Sequence, residues 1–235
     1  MRVAEIWRYP VKSMGGERLT QAEVGALGIR GDRQWGVLDP ATGLILTARR
    51  EPRLLYASAH PSSDNGRPVI TLDDGRVLDA DHDLSAWLGR PVQLVPAAGR
   101  TGRYESSLDR YLDDAEWVTW EGPSGAFHDS GRTQVSLASL DGMRGWDRRR
   151  FRFNLVLADG DERSLLDGLV RVGSAALHVG KRISRCVMTT RPQPDGIERD
   201  LSVLRTIVAE MDGCLGVGAM VVERGTVTVG DVVDA

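Results

Sequence analysis

The sequence predicts a mainly β protein with a few short helices, within the α+β class. Its 235 residues include 27 glycines and 10 prolines, a content typical of a chain with many turns. The short segments between these turns alternate apolar and polar residues, which is the pattern of half-buried strands. The spacing of an amphipathic helix is found over 81–88 and again after Asp200.

The composition argues against several classes of function. A net charge of −3 and a pI near 5.8 disfavour a nucleic-acid-binding protein, because phosphate binding usually needs a basic surplus. The two cysteines lack Cys-x-x-Cys spacing and the four histidines are scattered, so a zinc site is not expected. No signal-peptide pattern opens the chain, and no segment approaches the roughly 18 apolar residues of a membrane span. We expect a cytoplasmic protein with reduced cysteines and without nucleic-acid or membrane partners.

The first predicted strand covers 2–9 and ends at Pro10. The turn that follows carries Lys12 and Ser13 ahead of two glycines. Its backbone amides and these two side chains could hold an anion. A plain turn with a solvated lysine explains the same residues.

A hairpin is predicted next, from a strand within 28–39 to a partner over 44–47. Pairing of the two arms brings Arg33 to the same end of the ribbon as Thr47 and Arg49. A group of arginines at one place usually needs an acidic partner or a bound anion. Ordinary surface charge, paired with neighbouring acidic residues, is the alternative.

The middle of the chain predicts a hairpin over 69–78, a helix over 81–88 and a strand over 92–95. The polar stretch 97–114 has no periodicity and predicts a linker or loop, with a domain boundary near its end. The predicted domains are 1–115 and 116–235.

A strand over 117–120 and a loop over 121–131 are predicted after the boundary, and the loop could form the wall of a pocket. His128 and Asp129 in this loop look like half of a catalytic pair, but adjacent loop residues often point apart. No Gly-x-Ser-x-Gly motif accompanies them, so a hydrolase triad is not expected.

Residues 133–140 predict a strand that runs into a helix, with Ser136 and Ser139 near the free amides of the helix N-terminus. Such amides bind phosphate and other anions, and helix capping by the serines is the alternative. A strand that follows would place Arg152 and Asn154 on one side, because strand side chains alternate with a period of two. A guanidinium beside a carboxamide suits a phosphate or a polar heterocycle.

The C-terminal part predicts short strands over 170–173 and 175–179 and a helix capped by Asp200. Residues 219–223 and 226–233 predict a closing hairpin.

Cys186 is the candidate reactive group, because it follows Arg185 and precedes two threonines at 189 and 190. A free cysteine has a pKa of roughly 8.5, and adjacent positive charge favours the thiolate, which is the form that binds metals. A small buried apolar side chain is the alternative. Cys214 is interpreted as structural.

Several short motifs, in a shared order along the chain, give a specific resemblance. They are Tyr9-Pro10-Val11-Lys12-Ser13, Gly31-Asp32-Arg33-Gln34-Trp35, Leu46-Thr47-Ala48-Arg49, Ser136-Leu137-Ala138-Ser139-Leu140, Phe151-Arg152-Phe153-Asn154, Ser184-Arg185-Cys186 with Thr189-Thr190, and Val229-Gly230-Asp231-Val232-Val233. The chain resembles the MOSC proteins, in the two-domain arrangement of the mitochondrial amidoxime-reducing components and their bacterial relatives. After the threonines the reductase branch usually reads Val-Asp-Pro and a Thr-Gly turn, whereas this chain reads Arg191-Pro192-Gln193-Pro194-Asp195-Gly196.

The resemblance implies an N-terminal barrel-like β domain packed on a C-terminal MOSC β-barrel, with a molybdenum cofactor (molybdopterin) between them. It implies that Cys186 ligates molybdenum through its thiolate, a soft ligand, and is the catalytic centre. The residues matched to contacts with the pterin or its phosphate are Lys12, Ser13, Arg33, Ser139, Arg152, Asn154, Ser184 and Arg185. Thr47, Arg49 and Ser136, which belong to the matching motifs, complete the predicted cofactor-binding set.

The function implied is the reduction of N-hydroxylated small molecules such as amidoximes, hydroxylamines and N-hydroxylated bases. The electrons are expected from a separate donor protein, because no ferredoxin-like cysteine set follows Ala235. One alternative is a carrier of molybdenum cofactor or sulfur that uses a persulfide on Cys186. The other is a β scaffold that has kept the fold and lost the cofactor.

Overall fold

The computed structural model describes residues 1–62, 66–112 and 116–234, and within these ranges the protein is mostly β, which confirms the predicted fold class. The strands are β1 (Val3–Arg8), β2 (Glu17–Leu19), β3 (Gln21–Gly25), β4 (Gly28–Ile29), β5 (Trp35–Asp39), β6 (Leu44–Ile45), β7 (Ala57–His60), β8 (Val69–Leu72), β9 (Val77–Leu78), β10 (Gln93–Pro96), β11 (Thr101–Ser107), β12 (Trp117–Ser124), β13 (Val135–Ser139), β14 (Leu155–Leu157), β15 (Gly168–Val172), β16 (Ala175–Ser184), β17 (Cys214–Glu223), β18 (Gly225–Thr228) and β19 (Val233–Asp234). The helices are α1 (Asp81–Leu88) and α2 (Leu201–Met211), with 3₁₀ turns at Pro52–Tyr56, Arg148–Arg150, Glu162–Leu165 and Val187–Thr190.

One curled eight-stranded sheet dominates the fold, in the order β19-β15-β16-β17-β13-β14-β1-β2. Its neighbours pair antiparallel except β13 and β14, which are parallel. Every residue of β13 and β14 is buried, since both faces of these central strands are covered. Val135, Leu137 and Leu155 belong to the main core on one face, whereas Ala138 and Val156 pack on the other face.

The N-terminal part builds a second core from three small elements. Strands β5, β6 and β10 form one sheet, β7, β8 and β9 form another, and α1 packs beside them. Leu84 and Leu88 of α1 are buried in this core with Leu54 and Ile70. The helix ends at Gly89, whose φ of 67° gives the left-handed cap that glycine adopts without strain. The hairpin, helix and strand predicted in this region are confirmed.

The two ends of the chain are joined by backbone pairing. Strands β1 and β2 complete the large sheet, and β18 pairs with β3, with Val227 opposite Ala22. The predicted closing hairpin is therefore wrong. Its first arm, β17, already has β16 on one edge and β13 on the other, so no edge is left for the returning strand.

The stretch predicted as a linker forms a strand, which is a second correction. Strand β11 pairs with β12, with Tyr104 opposite Trp120. Arginine and glutamate on the outer face obscured the alternation of apolar and polar residues that is typical of a strand, while Tyr104 is only 1% exposed on the inner face. This hairpin crosses the predicted boundary between 115 and 116, and the domain division stays a prediction. Asp113 and Asp114 of the predicted linker lie outside the described residues.

Two further local predictions are wrong. Residues after β13 turn at 140–145 and do not start a helix, because Ser139 Oγ accepts from Gly142 N at 3.0 Å and donates to Glu162 Oε2 at 2.6 Å. Arg152 does not lie in a strand either, since its φ of 54° is left-handed and β14 begins only at Leu155. Within the described ranges, none of the helices has the length and apolar character needed to cross a membrane.

Candidate functional site

A cleft of about 690 Å³ lies between the N-terminal part, the β11–β12 hairpin and the large sheet. Most of the residues that the sequence singled out line it. They are Ser13, Arg33, Thr47, Arg49, Ser136, Arg152, Asn154, Ser184, Arg185 and Cys186. Lys12 lies just behind the wall, and Ser139 is not brought to the cleft, because its hydroxyl is fully buried against Glu162.

Lys12 is a buried ammonium held behind the wall of the cleft. Only 3% of its side chain is exposed, and its Nζ donates to Phe127 O at 3.0 Å and to Asp129 Oδ1 at 2.5 Å. Burial lowers the pKa of Lys12, and Asp129 opposes that shift. The pKa of Asp129 is held below its ordinary value, because Lys12 and Arg33 outweigh the effect of burial.

His128 and Asp129 do point apart, as the loop position suggested. His128 Nε2 lies 2.9 Å from Leu27 O, whereas Asp129 contacts Lys12. Burial lowers the pKa of His128, so this imidazole is neutral at pH 7. The pair therefore forms no catalytic couple.

One end of the cleft, which we call the Tyr9 end, holds two guanidinium groups against one aromatic ring. The Cζ atoms of Arg33 and Arg152 lie 5.3 and 4.8 Å from the centre of the Tyr9 ring. Arg33 pairs with Asp32, but Nε and Nη2 of Arg152 are buried without an acceptor among the described residues. Burial, with the nearby charge of Arg33, lowers the pKa of Arg152 to about 10.

The backbone at this end is strained in a way typical of functional sites. Ser13, Arg33 and Arg152 have φ values of 71°, 52° and 54°, in the left-handed region that residues other than glycine rarely adopt. Such strain persists only where the surrounding contacts impose it, as Ala48 N does by donating to Ser13 Oγ at 2.9 Å.

Asn154 is fixed in the floor of the cleft by Ser136 on the neighbouring parallel strand. Ser136 N and Oγ donate to Asn154 Oδ1 at 3.2 and 3.0 Å, and Asn154 N donates back to Ser136 Oγ at 3.0 Å. Asn154 Nδ2 also donates to Trp7 O at 3.3 Å, which sets the orientation of the carboxamide. Ser136 thus acts on the cleft mainly by positioning Asn154.

The other end of the cleft, which we call the Cys186 end, lies where β16 finishes. Cys186 is half-buried and starts the 3₁₀ turn 187–190, whose Thr189 Oγ1 donates to Cys186 O at 3.0 Å. Burial raises the pKa of Cys186 above its ordinary value, although Arg49 and Arg185 favour the thiolate. Arg185 thus favours the thiolate as the sequence predicted, but burial outweighs it.

Arg185 lies beneath Cys186 against two aromatic rings. Its Cζ is 4.3 Å from the centre of the Phe153 ring, and it donates to Leu215 O at 3.0 Å and to Phe151 O at 3.2 Å. Its Nη2 is buried and has no acceptor among the described residues. Burial lowers the pKa of Arg185 to about 10.

The cleft carries far more positive than negative charge. Its cationic side chains are Arg33, Arg49, Arg110, Arg150, Arg152, Lys181 and Arg185, and its carboxylates are Asp129 and Glu105. Among the described residues, only Arg33 of these cations pairs with a carboxylate. Both carboxylates are already paired, with Lys12 and Arg50.

Two further polar atoms of the cleft, Thr47 Oγ1 and Arg49 Nε, are buried without a hydrogen-bond partner in the described ranges. A buried donor without a partner costs about 1–3 kcal/mol, and more when it is charged. This cost disappears when a bound group supplies acceptors and negative charge. The arrangement therefore suits a ligand with several anionic or acceptor groups.

Some cleft residues were missed by the sequence analysis. Arg110, Trp120 and Tyr104 come from the β11–β12 hairpin, and reading 97–114 as a linker removed the hairpin from consideration. Arg150 belongs to a run of arginines that indicated positive charge but not which of them faces the cleft. No pattern in the sequence singled out Lys181. Cys214 does not line the cleft, in line with a structural role.

Sequence profiles now give the family. Residues 1–111 match the profile described as the MOSC N-terminal beta barrel domain, and residues 131–234 match the MOSC domain. The chain belongs to the MOSC proteins.

Relatives within this family match over a short stretch. Mitochondrial amidoxime-reducing component 1 of Homo sapiens is 45% identical over 60 residues, which is 24% of this chain and 18% of the human protein. Mitochondrial amidoxime reducing component 2 of Homo sapiens gives the same figures, and component 1 of Mus musculus is 43% identical over 60 residues and 17% of its length. The match thus spans less than a fifth of these relatives.

Solved structures show a remote likeness. YiiM from Geobacillus stearothermophilus is 13% identical, with a TM-score of 0.36 over 55% of this chain and 71% of that chain. The YuaD protein from Bacillus subtilis is 11% identical, with a TM-score of 0.44 over 98% of this chain and 92% of that chain.

Proposed function

We propose that this MOSC protein binds a molybdenum cofactor and reduces N-hydroxylated small molecules, with electrons from a separate donor protein. The observation that carries the proposal is the cleft in which cations without a carboxylate partner among the described residues surround the thiol of Cys186. The names of the partly matching relatives, amidoxime-reducing components, support the substrate class. Amidoximes, hydroxylamines and N-hydroxylated bases are the expected substrates.

The residues present fit a pyranopterin with a phosphate tail. At the Tyr9 end, Arg33, Arg152 and Ser13 would hold the phosphate, because Arg152 has two buried donors to offer and a dianion would offset its charge. Lys12 neutralises the carboxylate of Asp129 in the wall of the cleft, which reduces its repulsion of the phosphate.

The middle of the cleft suits the polar ring system. The fixed carboxamide of Asn154, the unpartnered hydroxyl of Thr47 and the exposed hydroxyl of Ser184 would serve the pterin. At the Cys186 end, the soft sulfur of Cys186 would ligate molybdenum, with Arg49 and Arg185 beside it. Ser139 is no longer part of the proposed set.

When bound, the cofactor supplies two-electron chemistry and an acceptor for the substrate oxygen. The chain's own residues position and screen this chemistry. Arg150 Nη1 donates to Thr189 O at 3.3 Å and to Arg191 O at 3.2 Å, and Nη2 donates to Glu198 O at 2.7 Å, so Arg150 holds the turn that follows Cys186 in place. Trp120 of the β11–β12 hairpin covers one side of the cleft and limits water there.

The deprotonation of Cys186 is the proton transfer that ligation requires. Burial favours the thiol, so ligand binding must release this proton, and metal uptake should accelerate as pH rises. Arg49 and Arg185 lower the cost of the thiolate that forms.

The test is elemental analysis of protein from a molybdenum-competent host, followed by anaerobic turnover of benzamidoxime with a chemical reductant. We expect about one molybdenum per chain and activity, both lost in Cys186→Ser. The matched control is Cys214→Ser, which alters a half-buried thiol outside the cleft and should keep both.

The other outcomes identify the alternatives. A persulfide on Cys186 by mass spectrometry, with no molybdenum, would replace the proposal by a carrier function. Protein with neither molybdenum nor persulfide would indicate a scaffold without cofactor. Retention of molybdenum and activity in Cys186→Ser would remove Cys186 as the ligand.

A further inference from the structure

We propose that the substrate carries an anionic group, a carboxylate or a phosphate, that binds at the Cys186 end of the cleft against Arg110 and Arg49. This inference rests on the proposed function and names the substrate class of the same site. It follows from the cations that the phosphate tail leaves unused.

The cationic groups of the cleft divide between its two ends. Arg33 and Arg152 share the Tyr9 ring and would meet a dianionic phosphate there. Arg49, Arg110 and Arg150 belong to the Cys186 end, and none of them pairs with a carboxylate of the described residues.

Arg110 is placed beside Cys186 by the backbone. Its carbonyl oxygen accepts from Val187 N at 2.9 Å, directly after Cys186 in the chain. Its guanidinium is exposed and has no acceptor among the described residues, although Arg110 lines the cleft. An incoming anion would meet this group without breaking an existing ion pair.

Arg49 fixes the segment that carries Arg110. Arg49 Nη2 donates to Asp109 O at 2.6 Å and to Leu112 O at 2.7 Å, and its Cζ lies 5.6 Å from the centre of the Trp117 ring. Its Nε has no acceptor in the described ranges. Arg49 is therefore already ordered, so an anion can pair with its guanidinium at little further entropic cost.

The only carboxylate that lines the cleft from the β11–β12 hairpin in the described residues does not neutralise these groups. Glu105 accepts from Arg50 at 2.7 Å, and Arg50 in turn lies 4.3 Å from the centre of the Trp117 ring. The positive charge of Arg110 and Arg49 thus remains available to a substrate.

The test compares two substrates that differ by one carboxylate group, benzamidoxime and para-carboxybenzamidoxime, with the molybdenum-loaded enzyme and a chemical reductant. We expect kcat/KM to favour the carboxylate by about tenfold or more, which is the size of one charge-assisted hydrogen bond. Equilibrium dialysis of both compounds against loaded enzyme without reductant should show the same preference in Kd.

Variants assign the preference to its residue. Arg110→Gln should abolish most of the preference, and Arg110→Lys should keep much of it because the charge is retained. The matched control is Arg103→Gln, on the same hairpin, exposed and outside the cleft lining, which should leave the preference and the activity as they are.

Reduction of benzamidoxime without any preference for the carboxylate would overturn this inference and leave the proposed function standing. A preference that survives Arg110→Gln would also overturn the assignment. Failure to reduce either compound would overturn the proposed function, and the inference with it.

Discussion

The arginines on the outside of the molecule and those in its cleft have different kinds of partner. Outside, Arg163 pairs with Asp161 at 2.7 Å and Arg171 with Glu223 at 3.0 Å. In the cleft, Arg152 and Arg185 donate to no carboxylate of the described residues and stack on aromatic rings.

The pKa of Arg163 and the pKa values of these two cleft arginines move in opposite directions. The side-chain hydrogen bond that Arg163 donates to Asp161 raises the pKa of Arg163, whereas burial lowers the pKa of Arg152 and of Arg185 to about 10. These two outer arginines are paired with acidic side chains, whereas most of the cleft cations have no carboxylate partner among the described residues. A folded protein that keeps such a cost usually recovers it when a ligand binds.

The largest expected effect comes from removing a cleft cation in the metal-free protein. Lowering the pKa of Arg152 from 12.5 to about 10 corresponds to about 3 kcal/mol, and this penalty is fully present at pH 7, below both values. Removing the Arg152 guanidinium also loses its stacking on Tyr9, which is worth about 1 kcal/mol and offsets part of the gain. Arg152→Met should therefore raise the free energy of unfolding by about 2 kcal/mol in urea denaturation.

The matched control for this prediction is Arg171→Met, which removes an exposed, paired arginine and should lower stability by less than about 1 kcal/mol. The comparison between the two regions would break if Arg152→Met destabilised the metal-free protein. In molybdenum-loaded protein the order should reverse, with Arg152→Met losing metal content and Arg171→Met keeping it.

A smaller effect is expected at the one cleft carboxylate that serves a buried cation. Asp129→Asn removes the negative charge beside Lys12 and leaves this ammonium with the uncharged Phe127 O and Tyr104 ring, so it should lower the free energy of unfolding by about 1 kcal/mol at pH 7. The figure is reduced because 80% of the Asp129 side chain is exposed to solvent.

The pH dependence of the free energy of unfolding tests whether the charge of Asp129 causes this effect. The pKa of Asp129 is lower in the folded state, so its contribution is full above the ordinary value of 3.8 and decreases gradually as pH falls from that value toward the folded-state pKa. Urea denaturation of the native protein and of Asp129→Asn should therefore differ most at pH 7, and the difference should shrink between about pH 4 and about pH 2. A constant difference across this range would assign the effect to packing.

The sequence predicted the local features of the fold better than its long-range pairing. Alternation identified β5 with β6 and β8 with β9, because tight turns fix these registers locally. The pairing of β18 with β3 depends on which sheet edges are still free once the whole fold has formed. No local pattern contains that information.

The same division applies to the site. Motifs around Arg33, Arg152 and Cys186 predicted residues that the fold brings to one cleft, although they are far apart in the chain. Arg110 was missed because the pairing of β11 with β12, whose connection carries Arg110, was missed. Ser139 was included through the family resemblance and a predicted helix N-terminus, whereas its hydroxyl donates to Glu162 in the fold.

The smallest expected effect concerns an outer ion pair. Glu223→Gln removes the partner of Arg171, an exposed pair that spans β16 from β15 to β17, where water and salt already screen the charge. The free energy of unfolding should fall by less than about 0.5 kcal/mol at low salt, and the difference should vanish near about 0.5 M NaCl, where the Debye length is only about 4–5 Å. Urea denaturation at both salt concentrations measures this. A salt-independent loss larger than that of Asp129→Asn would mean that outer pairs, like the cleft charges, carry a large share of the stability, and the contrast between the two regions would no longer hold.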